Sequence, residues 1–183
     1  MTDPFIKSFA SSSGLEDYQP QMYVIGRSNS GKSSLLNAML EQKTAKISSK
    51  PGSTQLLNLF GYKDRFLVDL PGYGYAKISK TKKFEISQLL GEYFNTGTFQ
   101  AGVLLLDCNR LPEEFELYIA DLFKQSRKPL MLLLTKVDRL NQKELHQLKK
   151  RSKEFAKDFH SVASISSHKK RGIDLVENFY RSF

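Results

Sequence analysis

Short apolar runs alternate along the chain with longer segments of helical spacing, the pattern of a parallel sheet wrapped by helices. Strands are predicted at Met22–Ile25, Leu56–Phe60, Phe66–Asp69, Val103–Asp107, Leu130–Thr135 and Val162–Ile165, with an edge strand around Phe5–Phe9. Helices fill the intervals, starting near Lys32, Lys80, Glu113, Gln142 and Ile173. In the last of these, Ile173, Val176, Phe179 and Tyr180 fall on one face and read as core. The fold class is therefore α/β, three layers with a mostly parallel central β-sheet and helices on both faces. The longest apolar runs, Val103–Leu106 and Leu130–Leu134, are strand-sized and far from the roughly 20 residues that span a bilayer, so no membrane insertion is expected.

Composition narrows this picture. At 183 residues, 40% hydrophobic and 26% charged, the chain has the size and balance of one globular domain rather than two. We read residues 1–20 as an N-terminal edge strand and loop, and 21–183 as the core of that single domain. Cys108 stands alone and cannot form an internal disulfide, while Asp3, Pro4 and Lys7 interrupt the apolar stretch that a signal peptide would need. A cytoplasmic protein is expected. The net charge of +9 suits a polyanionic partner such as nucleic acid, but a phosphate-binding protein also needs positive charge, and scattered surface lysines serve solubility.

Candidate chemistry begins directly after the first buried strand. Gly26-Arg27-Ser28-Asn29-Ser30-Gly31-Lys32-Ser33 satisfies GxxxxGK[ST] in a strand, loop, helix context, the signature of a P-loop NTPase of the Ras-like kind. Gly26 and Gly31 allow the loop to turn its N–H groups toward phosphate, and the following helix adds its positive end. Lys32 is expected to reach the β- and γ-phosphates, and the Ser33 hydroxyl to ligate Mg²⁺. Downstream, Lys50-Pro51-Gly52-Ser53-Thr54-Gln55, followed by Leu56, forms a loop before a strand, where Thr54 could ligate Mg²⁺ in the triphosphate state and release it afterwards. Asp69-Leu70-Pro71-Gly72 closes the next strand, placing Asp69 near the phosphates and the Gly72 N–H where it can sense the γ-phosphate. Lys32, Thr54 and Gly72 are the candidate catalytic residues.

A second motif selects the base. Leu130–Leu134 runs into Thr135-Lys136-Val137-Asp138, and one carboxylate at Asp138 can accept from both the ring N–H and the exocyclic amine of guanine. Adenine lacks that pair of donors. The stem of Lys136 can cover the base, and Ile165-Ser166-Ser167 can close the pocket over the guanine carbonyl.

With these residues in place the chain resembles the YihA/EngB (YsxC) family of bacterial GTPases, within the larger TrmE-Era-EngA-EngB-septin-like group that includes Era, Der and MnmE. The resemblance runs nearly end to end and rests on GRSNSGKSSLLNA (26–38), KPGSTQ (50–55), DLPGYGYA (69–76), TKVD (135–138) and SSHKKRGID (166–174). It implies a compact, monomeric GTPase domain using GTP, GDP and Mg²⁺. It also implies a role in assembling the large ribosomal subunit or its precursor, through ribosomal RNA and ribosomal proteins, and a link to cell division and septation. A division-acting interaction protein, with nucleotide as a structural ligand, is the alternative; a P-loop small-molecule kinase is disfavoured by TKVD.

Two features bear on mechanism. Tyr73 stands where Ras-like switches carry the Gln that orients the attacking water, so slow intrinsic hydrolysis is expected. Asn29 matches a position at which relatives hold K⁺ against the phosphates, although an Asn there also suits a tight turn. Finally, basic clusters at Lys77, Lys80, Lys82 and Lys83, at Lys149, Lys150, Arg151 and Lys153, and at Lys169, Lys170 and Arg171 are candidate contacts to ribosomal RNA or simply solvated faces.

Overall fold

The computed structural model describes residues 4–11, 13–41, 56–73, 91, 92, 94 and 98–183. Seven strands, β1 (Phe5–Phe9), β2 (Gln21–Gly26), β3 (Leu57–Tyr62), β4 (Arg65–Asp69), β5 (Phe99–Asp107), β6 (Leu130–Thr135) and β7 (Ser161–Ser164), form one sheet in the order β1-β3-β4-β2-β5-β6-β7. The β1, β3 and β4 pairings are antiparallel, and those of β2 with β4, β2 with β5, β5 with β6 and β6 with β7 are parallel. Four helices follow in chain order among the described residues, α1 (Lys32–Leu40), α2 (Glu114–Gln125), α3 (Gln142–Phe155) and α4 (Ile173–Arg181). The helix expected near Lys80 and the loop 50–55 lie outside the described residues.

Continuous apolar runs in the central strands follow from burial on both faces. Tyr23 and Ile25, Leu104 and Leu106, and Leu132 and Leu134 join one core cluster with Ile119, Phe123, Leu148 and Phe155, under α2 and α3. Their neighbours in sequence, Met22 and Val24, Val103 and Leu105, and Met131 and Leu133, join the other with Leu35, Leu36, Val176 and Phe179, under α1 and α4. The predicted stripe of α4 is indeed core: Ile173, Val176, Phe179 and Tyr180 are all buried. Tyr180 also fixes the helix to the sheet, since its hydroxyl donates to the Pro20 carbonyl (2.8 Å) and accepts from the Phe66 N–H (3.1 Å).

The strand that most exceeds its apolar run is β5. β5 starts at Phe99, four residues before Val103, because Gly102 is not a break. A Cβ at 102 would stand 2.2 Å from the Phe123 ring, so the glycine lets α2 lie closely against the sheet. No described helix is long and apolar enough to cross a membrane.

Candidate functional site

The carboxyl ends of β2, β4, β5 and β6 converge on one edge of the sheet, where open α/β folds place ligands. As β2 ends at Gly26 the chain doubles back so tightly that a Cβ there would stand 2.5 Å from Ser30 Oγ and 3.1 Å from Leu105 Cβ. Asn29 and Gly31 then adopt left-handed backbone, with φ of 66° and 95°, and Gly31 becomes the residue before the first turn of α1. Lys32 and Ser33 occupy that first turn, Lys32 buried and Ser33 half-buried.

Two side chains from the end of β6 hold this loop from behind. The buried Thr135 hydroxyl donates to the Ser30 carbonyl (2.6 Å), and the Lys136 ammonium donates to the Asn29 carbonyl (2.6 Å). Lys136 also pairs with Asp107 Oδ2 at 3.0 Å. Partial burial pulls the Asp107 carboxyl up, but the Asn109 N–H and the Lys136 ammonium outweigh it and hold it below its ordinary value. The loop and TKVD, 105 residues apart at their Thr135–Ser30 bond, are thus one built unit.

At the other end of the loop, Lys32 Nζ pairs with Asp69 Oδ1, both side chains buried. Burial pushes the Asp69 carboxyl up, against the opposing pull of Lys32. Leu70 donates its N–H to the Val24 carbonyl (3.1 Å), Pro71 is half-buried, and Gly72 lies over the loop, its Cβ direction 3.3 Å from Ser28 Oγ. The Ser28 N–H donates to the Tyr73 carbonyl (2.6 Å). Tyr73 itself is buried, its ring edge-on to Phe115 with centroids 4.7 Å apart, and its phenol lies beside Glu116 without closing a hydrogen bond. Burial, reinforced by the Glu116 charge, pushes that phenol well above its ordinary value.

Arg27 joins this end to α2. Its Nε donates to Glu116 Oε1 at 2.7 Å and its Nη2 to Glu113 Oε2 at 2.5 Å. These glutamates also form the capping box of α2, with the Glu113 N–H donating to Glu116 at 2.8 Å. Leu56 is half-buried immediately before β3; Gly52, Ser53, Thr54 and Gln55 lie outside the described residues.

TKVD and the loop after β7 enclose the remaining part of the site. Ile165 donates its N–H to the Leu134 carbonyl (2.8 Å) and accepts from the Val137 N–H (3.3 Å), and Ser166 and Arg171 exchange two backbone bonds of 3.0 Å each. The fully buried Ser166 hydroxyl accepts from the Lys169 N–H (3.1 Å), leaving its proton for Asp138. That hydrogen bond is the main reason the Asp138 carboxyl sits below its ordinary value. A cavity of about 360 Å³ opens here, lined by Gly31, Ser34, Thr135, Lys136, Asp138 and Ser167, and also by Arg139 and His168. Its size is that of a small-ligand pocket.

The motif residues expected to act together therefore do meet, among the described residues, along one sheet edge. Sequence reasoning missed Asp107, Glu113 and Glu116, and the cavity residues Ser34, Arg139 and His168. The E-x-x-E spacing of the capping box was a readable signal for a helix start, but nothing local joined it to Arg27. The first turn of α1 offers the Ser33 hydroxyl and the end of β4 the buried Asp69 carboxylate, at present paired with Lys32; hard oxygen donors of this kind suit a divalent cation such as Mg²⁺.

Residues 21–136 match the model of the 50S ribosome-binding GTPase family. Among curated relatives, a "Probable GTP-binding protein EngB" from Metamycoplasma arthritidis is 38% identical over 96% of this chain and 97% of its own length. A second, from Prosthecochloris aestuarii, is 37% identical over 96% of this chain and 95% of its own. Among solved structures, a "probable GTP-binding protein engB" superposes with a TM-score of 0.70 at 18% identity, covering 86% of this chain and 95% of that one. Era in complex with MgGDPNP and nucleotides 1506–1542 of 16S ribosomal RNA gives a TM-score of 0.64 at 20% identity, over 88% of this chain and 56% of Era. These structural likenesses bear on the fold.

Proposed function

This chain belongs to the 50S ribosome-binding GTPase family, with EngB-type relatives along its whole length, and from that premise we propose that it is a GTP-hydrolysing switch acting in assembly of the large ribosomal subunit. The observation that carries the guanine assignment is Asp138, kept ionised by Ser166 at the wall of a cavity that also touches the phosphate-loop residue Gly31. In this reading Asp138 accepts from the two adjacent guanine donors, while Val137, Ile165, Ser166 and Ser167 close the pocket by their backbone. The Lys136 ammonium braces Asn29 and Asp107, which leaves its stem available to cover the base as expected from the sequence.

The N–H groups of 26–33, Lys32 and Gly72 would hold the phosphates; Ser33 and Thr54 would hold Mg²⁺, with Asp69 supporting it. When bound, that ion neutralises charge developing on the β- and γ-phosphates. Lys32 must then leave Asp69 for phosphate, and the Ser28 N–H must leave Tyr73 to face it. The buried Tyr73 side chain points into the core beside Phe115, so it supplies no group to orient the attacking water, which supports slow hydrolysis until a partner or cation completes the site. The left-handed backbone at Asn29 accounts for an Asn there as a turn residue; hydrolysis measured in K⁺ against Na⁺ decides whether it also holds a cation.

Depletion followed by ribosome profiling tests the assembly role. Accumulation of an immature large subunit is the expected result, and a normal profile with a septation defect would move the function to division. Reduced division is otherwise a downstream consequence of fewer ribosomes.

A further inference from the structure

Helix α3 presents two unlike faces. Leu145, Leu148, Ser152 and Phe155 turn inward, with Leu148 and Phe155 buried in the core shared with α2. At 3.6 residues per turn the opposite stripe falls on Lys143, His146, Lys150 and Lys153, all exposed, with Lys149 and Arg151 on its flanks. Lys143 to Lys153 spans about 15 Å at 1.5 Å per residue. Of the two acidic residues in the helix, Glu144 is committed to the capping box with Asn141, through bonds of 2.8 and 3.0 Å, and the exposed Glu154 stands at the C-terminal end of the stripe beside Lys150 and Lys153. Among the described residues none of the helix's lysines or its arginine is in an ion pair.

The outward face of α2 is of another kind, with exposed Leu117 and Tyr118 set between Glu114 and Asp121. Among the described helices the positive charge is therefore gathered on α3 rather than spread evenly. It is also separate from Lys169, Lys170 and Arg171. Because β6 and β7 are parallel, α3 returns toward the opposite end of the sheet, so Lys150 and Lys153 recede from the cavity while 169–171 follow its lining residue His168.

We propose that the outward face of α3 docks on RNA phosphates, and does so equally in the GTP and GDP states. This rests on the ribosomal reading above and deepens it by naming the partner's chemistry and the face that meets it. A row of unpaired cations on a helix complements a polyanion, and each phosphate neutralised releases counterions. Attachment among the described residues favours independence of the γ-phosphate. Helix α3 hangs from the base-reading segment through the Val137–Arg139 turn and the Asn141 cap, and no hydrogen bond or ion pair among the described residues joins it to the loop 26–33 or to 70–73. Helix α2, tied to Arg27 and packed on Tyr73, is the one placed to follow the nucleotide state.

The test compares full-length wild type with K143E/K150E/K153E, and with the milder K150A/K153A, for binding to protein-free large-subunit RNA and to large-subunit particles. Each is measured with GDP and with a non-hydrolysable GTP analogue across a salt series. The triple variant should lose RNA affinity by at least about 30-fold, with a salt slope shallower by about 2, equally in both nucleotide states. The double variant should show a smaller loss in the same direction. RNA-free GTP hydrolysis and the melting temperature should stay at wild-type values, and Tyr118→Ala on α2 should leave RNA affinity unchanged. Unchanged RNA affinity in the triple variant overturns the proposal, as does a loss confined to the GTP form. A loss on particles with naked-RNA binding intact reassigns the face to a protein partner and also overturns it. If wild type fails to bind large-subunit particles at all, the assembly role fails, while the naked-RNA comparison still decides the α3 face.

Discussion

At the proposed base-reading end of the site, Asp138 stands beside the cavity, bonded by Ser166 and in no ion pair among the described residues. At the phosphate end the described cations are already engaged with carboxylates of the chain itself, Lys32 with Asp69 and Arg27 with Glu113 and Glu116. Even the Ser28 N–H is taken, by the Tyr73 carbonyl. A ligand therefore adds contacts at one end and exchanges them at the other. Addition to a preformed pocket costs little reorganisation and supplies selectivity, whereas exchange couples binding to movement of the segments that hold the displaced partners. A switch needs both, and Thr135 and Lys136 supply the bonds that join them.

The largest test of this contrast is Lys32→Ala. It removes the phosphate contact and leaves the buried Asp69 without its partner, so GTP affinity should fall by about 10²- to 10³-fold, the range for stripping a buried ion pair of one member. Isothermal titration measures it, and a loss under tenfold would mean that the pair is not exchanged on binding. Next, Asp138→Asn should cost GTP about 10²-fold, corresponding to two hydrogen bonds to a charged group, and should restore binding of xanthosine triphosphate. Because the base end is preformed, its melting temperature without ligand should hardly move. Equal losses for guanine and xanthine nucleotides would show that Asp138 shapes the pocket rather than reads the base.

Thr135→Val probes the joint. Losing a buried hydroxyl and leaving the Ser30 carbonyl short of a donor should cost about 1–3 kcal/mol, seen in thermal unfolding as a drop of roughly 2–10 °C. GTP and GDP affinity should fall together, by about tenfold, since both ends lose their common reference. The smallest effect is expected from Ser166→Ala, and it is a matter of pH. A carboxyl held below its ordinary value of 3.8 stays ionised as pH falls to that value, so wild-type GDP affinity should persist there and decline only below it. Without the Ser166 bond the falling limb should move up toward the ordinary carboxylate value, with little change at neutral pH. An unshifted limb would place the control of Asp138 elsewhere.

Much of this was legible beforehand where chemistry is carried by neighbours in sequence. Gly26 to Ser33, Asp69 to Gly72 and Thr135 to Asp138 each sit at the end of a strand, and β2, β4 and β6 announced themselves as short apolar runs. Strands run on through glycines where the apolar runs stopped, at Gly61 in β3 and at Gly102 in β5, where the side chain it lacks makes room for Phe123 from a helix 21 residues on. The pairs that set the resting state were not legible. Arg27 with Glu116 and Thr135 with Ser30 join positions 89 and 105 residues apart, and any of the chain's many charged or hydroxyl side chains could have filled those roles.

The sequence by itself determined the groups proposed to meet the ligand, because a phosphate cradle and a guanine acceptor would be built from adjacent backbone and side-chain atoms whose spacing is covalent. It also determined the sheet, through apolar runs buried on both faces. Only the tertiary structure decided what those groups do while they wait: that Lys32 rests on Asp69, that Lys136 braces the loop, that Tyr73 is buried beside Phe115, and that the cations of α3 remain unpaired among the described residues. Such pairings depend on which distant strands and helices the packing brings within a few ångströms, and at that range burial and charge, not order along the chain, choose the partner.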